Sequence, residues 1–452
     1  MYMQDKRTLI IGNARIMTLG ENNRYFPNGA IYTEDGIIRD VGENTEISDR
    51  YPNTDFEDMR GLLVIPGNII AHTHLYSSFA RGMGLKDEAP SNFVEILERL
   101  WWRLDKVLTD EDNYYSAMVA LIQCIKYGTT TIIDHHASPG AIDGSLDVLA
   151  KAVFEAGIRA SLCYEVTDRG GEAEAIAGIN ENIRFIKKCR DYSTGYLKGA
   201  FGIHASFTVS DQTLDKCISE AQSVGSPVFH LHVEEDFSDR KDSEEKYGMP
   251  VTLRLQKMGL TNFPIIAAHC VHLRDDEFDV VKNEGIQVVH NPSSNMNNAV
   301  GVANVLKMMD MGINVGLGTD GMTADYFQEM KILPLLHKIN TRDPQTYSFD
   351  RLYQTIFLNN RNICNLFWKN ASLGAIEPGA YADVVGLDYD PPTPLSADNF
   401  LGHCLFGMNS SMVDTTIVNG QPLMKKRKVL HLDEERIMAR SRELSKKMWH
   451  RF

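Results

Sequence analysis

His72 and His74 lie one residue apart in Pro66-Gly67-Asn68-Ile69-Ile70-Ala71-His72-Thr73-His74, at the end of a short apolar run. Side chains at i and i+2 of a β-strand share a face, so two imidazoles at that spacing can grip one cation. Three later apolar runs end on similar groups: His232 with Glu235, His269, and Asp320. A single strand histidine is usually structural, and it is the ordered set that points to a metal centre. Neutral imidazoles with a carboxylate suit one divalent transition metal, Zn²⁺ first and Fe²⁺ as the alternative. Such an ion lowers the pKa of a bound water towards about 7 and so supplies a nucleophile at neutral pH. A carboxylate must then move protons, and Glu235 is within reach for that work; His269 can act on the water or on the atom where charge develops. Glu234, Glu235 and Asp236 are consecutive, and strand alternation puts Glu234 rather than Glu235 on the face of His232. From the residues alone that choice stays open.

The elements that must position these groups alternate. Eight apolar, strand-like runs fall at 63–74, 129–136, 159–168, 199–207, 227–235, 265–273, 285–292 and 312–320. Helical patterns separate them, among them 110–127, 146–157, 176–191, 211–225 and 275–284. Continuous Val/Ile/Leu runs alternating with helices predict an α/β fold, a (β/α)8 TIM-like barrel whose strands are buried on both faces. An open doubly wound sheet is the rival, but the Gly-rich phosphate loop expected after its first strand is missing. In a barrel the active site lies at the C-terminal strand ends, where the candidate residues sit, so their distance in sequence ceases to matter.

Both ends of the chain have a different texture. Residues 1–61 and 378–431 contain short, Gly-punctuated β-runs and predict one small β-sandwich domain assembled from the two termini. Residues 62–377 are the expected catalytic barrel, and 432–452 a C-terminal helix docked on the surface. At 452 residues, one large domain with a smaller companion is the expectation.

The formal charge of −14 argues against nucleic acid or an anionic membrane as partner. The basic cluster Lys425-Lys426-Arg427-Lys428 reads as a solvated turn. Seven cysteines form no CxxC pair and read as reduced, buried thiols of a cytoplasmic protein. The polar start, Met1 to Lys6, reads as no signal peptide, and no apolar run is long enough to span a bilayer.

Five segments carry a resemblance to a known family: the stretch from Pro66 to His74, His232-Val233-Glu234-Glu235, Ala267-Ala268-His269-Cys270-Val271-His272, His290-Asn291-Pro292-Ser293-Ser294-Asn295, and Gly316-Leu317-Gly318-Thr319-Asp320-Gly321. Together they resemble the amidohydrolase superfamily, in its mononuclear aminohydrolase and chlorohydrolase branch, over essentially the whole chain. The resemblance implies one metal held by His72, His74, His232 and Asp320, a proton shuttle at Glu235, and water or substrate contact by His269. It implies no carbamylated lysine, and places His272 and His290 outside the ligand set. His290, ahead of Asn-Pro, is expected to fix the loop after strand seven.

The implied activity is hydrolytic deamination of a nitrogen heterocycle such as a purine or pterin, with metal-activated water as nucleophile. Opening of a cyclic amide or ureide, or displacement of chloride, is the alternative at the same site. A metal-binding protein without turnover is the rival of another class, disfavoured because no ligand and no shuttle is lost. Similar enzymes often form homo-oligomers. Specificity is expected from rim loops. His204 ends strand four and can contact the small-molecule substrate. Of Asp134, His135 and His136, at least one is expected to line the cavity, and His136 is taken as the candidate. Arg81 can contact a carbonyl or carboxylate, or cap its loop. Trp101 can stack on a flat ring, although packing of both Trp101 and Trp102 between helix and barrel is the favoured reading. The charged segment 236–247 reads as a solvated loop, with a mobile lid as the alternative.

Overall fold

The computed structural model describes residues 7–190, Tyr192 and 195–452. Residues 1–6, in which no signal peptide was read, and Asp191, the last residue of the expected helix 176–191, lie outside the described residues.

The chain opens with β1 (Thr8–Met17), β2 (Tyr25–Glu34), β3 (Ile37–Glu43), β4 (Asp55–Asp58) and β5 (Leu63–Pro66). It continues through β6 (Asn68–Thr73), β7 (Thr129–Asp134), β8 (Arg159–Leu162), β9 (Leu197–Gly199), β10 (Phe201–Ala205), β11 (Phe229–Val233), β12 (Ile265–His269), β13 (Gln287–His290) and β14 (Val315–Leu317). It closes with β15 (Val384–Leu387), β16 (Val413–Val418), β17 (Gln421–Lys425) and β18 (Lys428–Val429). Strands from both ends of the sequence join in one mixed sheet of nine, ordered β18-β17-β16-β15-β5-β1-β2-β3, with β4 parallel to β1. It has its own core of Ile11, Ile16, Ile31, Ile38, Val64 and Val384. The expected run 63–74 is therefore split. Its first part pairs with β15 in the mixed sheet, and its second part pairs with β7. Gly67 makes the crossing, where a Cβ would stand 2.1 Å from Thr130 Oγ1.

The remaining strands form two parallel sheets, β6-β7-β8-β9 and β10-β11-β12-β13-β14. Every residue of β6, β7 and β12 is buried, as helices on the outer face require. The run 199–207 is divided at Ala200 between the two sheets, with the Ala200 amide donating to the Leu162 carbonyl at 2.9 Å. Isolated parallel bridges tie the sheets on both flanks, Val166 to Ile203 and Thr73 to Asp320. At the second flank the amides of Thr319 and Asp320 donate to the His72 carbonyl at 3.0 and 3.1 Å. Gly318 permits this approach, since a Cβ there would meet Asn291 Oδ1 at 2.3 Å and the His72 carbonyl at 2.9 Å.

The expected helices are present at Asp110–Lys126, Ser145–Ala156, Glu172–Arg190, Asp211–Gln222 and Asp275–Asn283. Thr109 and Asp112 close a capping box at the start of the first. The C-terminal helix, Glu434–Arg451, buries Leu444 and Met448 against Tyr76, Phe79 and Leu104. Trp449 Nε1 donates to the Phe79 carbonyl at 2.7 Å, which ties this helix to the segment that follows His74. Segment 236–247 is not a loop but a helix, Phe237–Tyr247, capped by Asp236. Its charges had helical spacing, with i,i+4 pairs Arg240–Glu244, Lys241–Glu245 and Asp242–Lys246. The basic cluster turns between β17 and β18, with positive φ at Lys426 and Arg427. All seven cysteines are buried and free. Among the described residues, no helix is long and apolar enough to cross a membrane.

Candidate active site

The strand ends bring the sequence-distant candidates together. His72 is the fifth residue of β6, and His74 follows that strand directly. His232 is on β11, His269 ends β12, and Asp320 lies three residues beyond β14. His74 Nε2 is 3.0 Å from Asp320 Oδ1 and 3.3 Å from His232 Nε2. His72 Nε2 is 3.6 Å from the same carboxylate oxygen. Two sets of donor atoms each lie within 4.8 Å of one another: His72, His232, His269 and Asp320, and His74, His135, Glu165 and His232.

Each imidazole is oriented from behind. His74 Nδ1 donates to the His135 carbonyl at 2.6 Å, and His232 Nδ1 to the His204 carbonyl at 3.0 Å, so their Nε2 atoms face Asp320 and each other. His72 Nδ1 meets His230 Nε2 at 2.9 Å, and His269 Nδ1 meets Asn295 Oδ1 at 2.8 Å. The Nε2 atoms of His72 and His269 are buried without a hydrogen-bond partner. Buried polar atoms are rarely left unpaired, and several bare imidazole nitrogens around one carboxylate are the donor set of a transition metal.

The electrostatics agree. Burial pushes His72 down to about 3 and His232 well below the usual imidazole range, so both are neutral and able to ligate. Burial acts on His74 in the same sense, but the carboxylates of Asp320, Glu165 and Asp134 overcome it and raise that imidazole to about 9. A field that holds a proton so firmly also favours a divalent cation in its place. Asp320 is held well below the carboxylate range: burial opposes ionisation, and contacts with His72 and His74 outweigh it. The Ser294 hydroxyl donates to its other oxygen.

Glu235 reaches this centre and Glu234 does not. Val233 is the last residue of β11, and Glu234 has a φ of 44°, which breaks the strand alternation. Glu235 Oε2 then lies 3.4 Å from His269 Nε2, and its Oε1 accepts from Asn298 Nδ2 at 3.2 Å. Burial, with Asp320 nearby, raises the Glu235 carboxyl to about 7. Glu234 turns away to the amide of Val251, at 3.3 Å.

A cavity opens above these groups, and His74, His232, Glu235 and Asp320 line it. His204 also lines it, with Trp101, Trp102 and Phe207 as aromatic wall. Both indoles pack on apolar clusters, as expected, and both also line the cavity; the turn Leu97–Trp101 that leads into Trp102 is widened to i→i+5. Arg81 lies off this cavity, in a neighbouring cleft, where its Nη2 donates to Gln123 Oε1 at 3.1 Å. Asp134, His135 and His136 are also absent from the lining, against expectation. Asp134 accepts from the Leu75 amide at 2.7 Å, and His136 Nε2 meets Ser138 Oγ at 2.9 Å. His290 pairs with His337 at 3.3 Å, and His272 Nε2 donates to the Val300 carbonyl at 2.7 Å. Sequence reasoning missed Glu165 and Asp105, both on the cavity wall. Glu165, three residues past β8, was the more legible of the two, because it falls at the C-terminal end of the expected run 159–168, between Tyr164 and Val166.

Comparison with known proteins places the chain in a family. The pattern of the Amidohydrolase family matches residues 63–423. The chain is 31% identical to the 5'-deoxyadenosine deaminase of Methanosarcina acetivorans, covering 97% of this chain and 98% of that protein. It is 30% identical to the 5-methylthioadenosine/S-adenosylhomocysteine deaminase of Syntrophomonas wolfei, covering 97% and 99%. Among solved structures, an adenosine deaminase from Xanthomonas campestris with bound zinc superposes with a TM-score of 0.84 at 21% identity, covering 97% and 98%.

Proposed function

The chain belongs to the amidohydrolase family, and on that premise we propose that it is a metal-dependent aminohydrolase that releases ammonia from a purine nucleoside related to adenosine. The observation that carries the reading is the approach of His72, His74, His232 and Asp320 at strand ends, with Glu235 and His269 beside them under an aromatic-walled cavity. We read the two parallel sheets, tied at Thr73–Asp320 and Val166–Ile203, as one (β/α)8 barrel. The mixed sheet is read as the small β-unit of both termini. It takes Leu63–Pro66 by hydrogen bonding, which moves the start of the barrel from 62 to about Gly67.

His72, His74, His232 and Asp320 are assigned to the ion, Zn²⁺ with Fe²⁺ as alternative. When bound, the ion acidifies a water to near neutrality. The rest is work for the protein's own side chains. Asp320 Oδ2, 3.9 Å from His269 Nε2, takes the proton of the attacking water. His269, whose Nε2 also falls within one donor set, is assigned to the water and the tetrahedral centre rather than to the ion. The Glu235 carboxyl, raised to about 7 by burial, protonates the ring nitrogen, and the proton taken up by Asp320 passes to the amine, which departs as ammonia. Trp101, Trp102 and Phe207 hold the flat ring and exclude water around it.

The test is ammonia release from a panel of adenosine derivatives, free purines, pterins and cyclic ureides, using protein of measured metal content. Ammonia from adenosine derivatives supports the reading. Stoichiometric metal with no ammonia from any purine, or a ring-opened product instead, overturns it.

A further inference from the structure

Glu165 lines the cavity yet has no part in the chemistry above. It is 2% exposed and surrounded by imidazoles: Oε1 lies 3.1 Å from His135 Nδ1 and 3.5 Å from His74 Nδ1, while Oε2 lies 3.9 Å from His204 Nε2. The tautomer of His204 follows from its neighbours. Thr208 Oγ1 donates to the Ala205 carbonyl at 3.1 Å, so it accepts from His204 Nδ1–H at 2.8 Å. That leaves His204 Nε2 as a bare acceptor. Glu165 Oε2 is an acceptor as well, and the two atoms, 3.9 Å apart, are too distant to bond each other. Asp105 extends this wall: one oxygen accepts from Arg169 Nη2 at 3.0 Å, and the other is buried without a partner. Acceptors buried without donors cost free energy, and a ligand that brings donors removes the cost.

Resting on the aminohydrolase reading, we propose that Glu165 and His204 form a subsite that reads hydrogen-bond donors on the substrate, and that Glu165 sets specificity without moving protons. Neighbouring donors fit the spacing, because each bonds one acceptor while sitting beside the other. A phosphate or carboxylate placed there meets only acceptors and is excluded. In a purine nucleoside, two groups have the required chemistry: the vicinal hydroxyls of the ribose, and N–H groups of the base.

The test is calorimetric binding of the deaminated product series (inosine, 2′,3′-dideoxyinosine and hypoxanthine) to metal-analysed wild type and Glu165→Gln, which needs no turnover. Gln keeps the shape but turns a donor towards the ligand. Its binding of inosine is expected to weaken roughly 10- to 100-fold, the worth of a hydrogen bond to a charged group. If the sugar supplies the donors, wild type discriminates inosine from the dideoxy analogue and Glu165→Gln does not. If the base supplies them, the variant weakens all three ligands alike. The wild-type ligand series stands even if the variant folds poorly. In steady state the variant is expected to raise KM with kcat within about threefold of wild type. Unchanged affinity for all three ligands in Glu165→Gln, or no binding of any by wild type, overturns the subsite. Ammonia release with an indifferent Glu165→Gln sinks this inference alone. Selective binding without ammonia from any nucleoside sinks the aminohydrolase reading and leaves the subsite standing.

Discussion

Glu235 is buried beside His269 and Asp320, and burial raises its carboxyl to about 7. A carboxyl with that property gives and takes protons at little cost, and Gln can do neither. Glu235→Gln is therefore expected to keep its metal and lose roughly 10²- to 10⁴-fold in kcat, the usual worth of general acid–base catalysis. Metal analysis beside ammonia kinetics checks it, and a fully active variant removes Glu235 from the mechanism. The division of labour between Asp320 and His269 has a separate test. Asp320 Oδ1 faces both His72 and His74, so Asp320→Asn removes the one negative charge among the assigned ligands and is expected to lose the metal on dialysis. His269→Asn is expected to retain stoichiometric metal and fail in turnover. The reverse pattern would place His269 in the ligand set.

What delivers these residues is the way the strands end. His269, Cys270, Glu234 and Asp320 all have positive φ without being glycine, with values of 77°, 51°, 44° and 52°. Such backbone is costly and collects at functional sites. It is also the reason the sequence is legible only in part. Apolar runs and helical spacing place the strands, and with them His72, His74, His232, His269 and Asp320. Parity then fails just past the strand, where Glu234 turns the chain, and only the family resemblance selected Glu235. The widened turn before Trp102 and the position of Glu165 among three imidazoles depend on contacts between distant segments that periodicity does not encode. The cost of burying the Glu234 carboxyl behind this turn can be measured. Its side chain is fully buried, and burial together with the charges of Glu277 and Asp239 raises it to about 10. A folded-state pKa above the unfolded value means that stability is complete below the ordinary carboxylate range and falls as pH rises towards the folded value. Glu234→Gln removes that loss. Its stability advantage over wild type is expected to grow between pH ~5 and pH ~9 by up to about 1.4 kcal/mol per pH unit, roughly 5 kcal/mol in all. Urea unfolding at several pH values checks this, and a difference that stays flat with pH contradicts it.

At the scale of the whole molecule, a buried guanidinium bridges the parallel and mixed sheets. Arg159 opens β8, and Asp383 immediately precedes β15. Arg159 Nε and Nη2 donate to the two Asp383 oxygens at 2.6 and 3.2 Å, Nη2 also donates to Asn419 Oδ1 at 2.9 Å, and Nη1 to the Gly195 carbonyl at 3.0 Å. The guanidinium stacks over the Tyr381 ring at 3.6 Å from its centroid. Arg159 and Asp383 are both buried, so removing one leaves the other without its counter-charge in a medium that solvates it poorly. Arg159→Ala is expected to cost about 3–5 kcal/mol, and pairing a Met at 159 with a Leu at 383 is expected to recover much of it, because no charge is then stranded. None of these groups lines the cavity, and the site residues sit on the parallel sheets and the segments that follow them. The folded fraction of Arg159→Ala should thus keep its kcat and bound metal while its urea midpoint falls. A drop in kcat with stability unchanged would instead mean that the mixed sheet, one face of which packs in the same core as the parallel strands, communicates with the site.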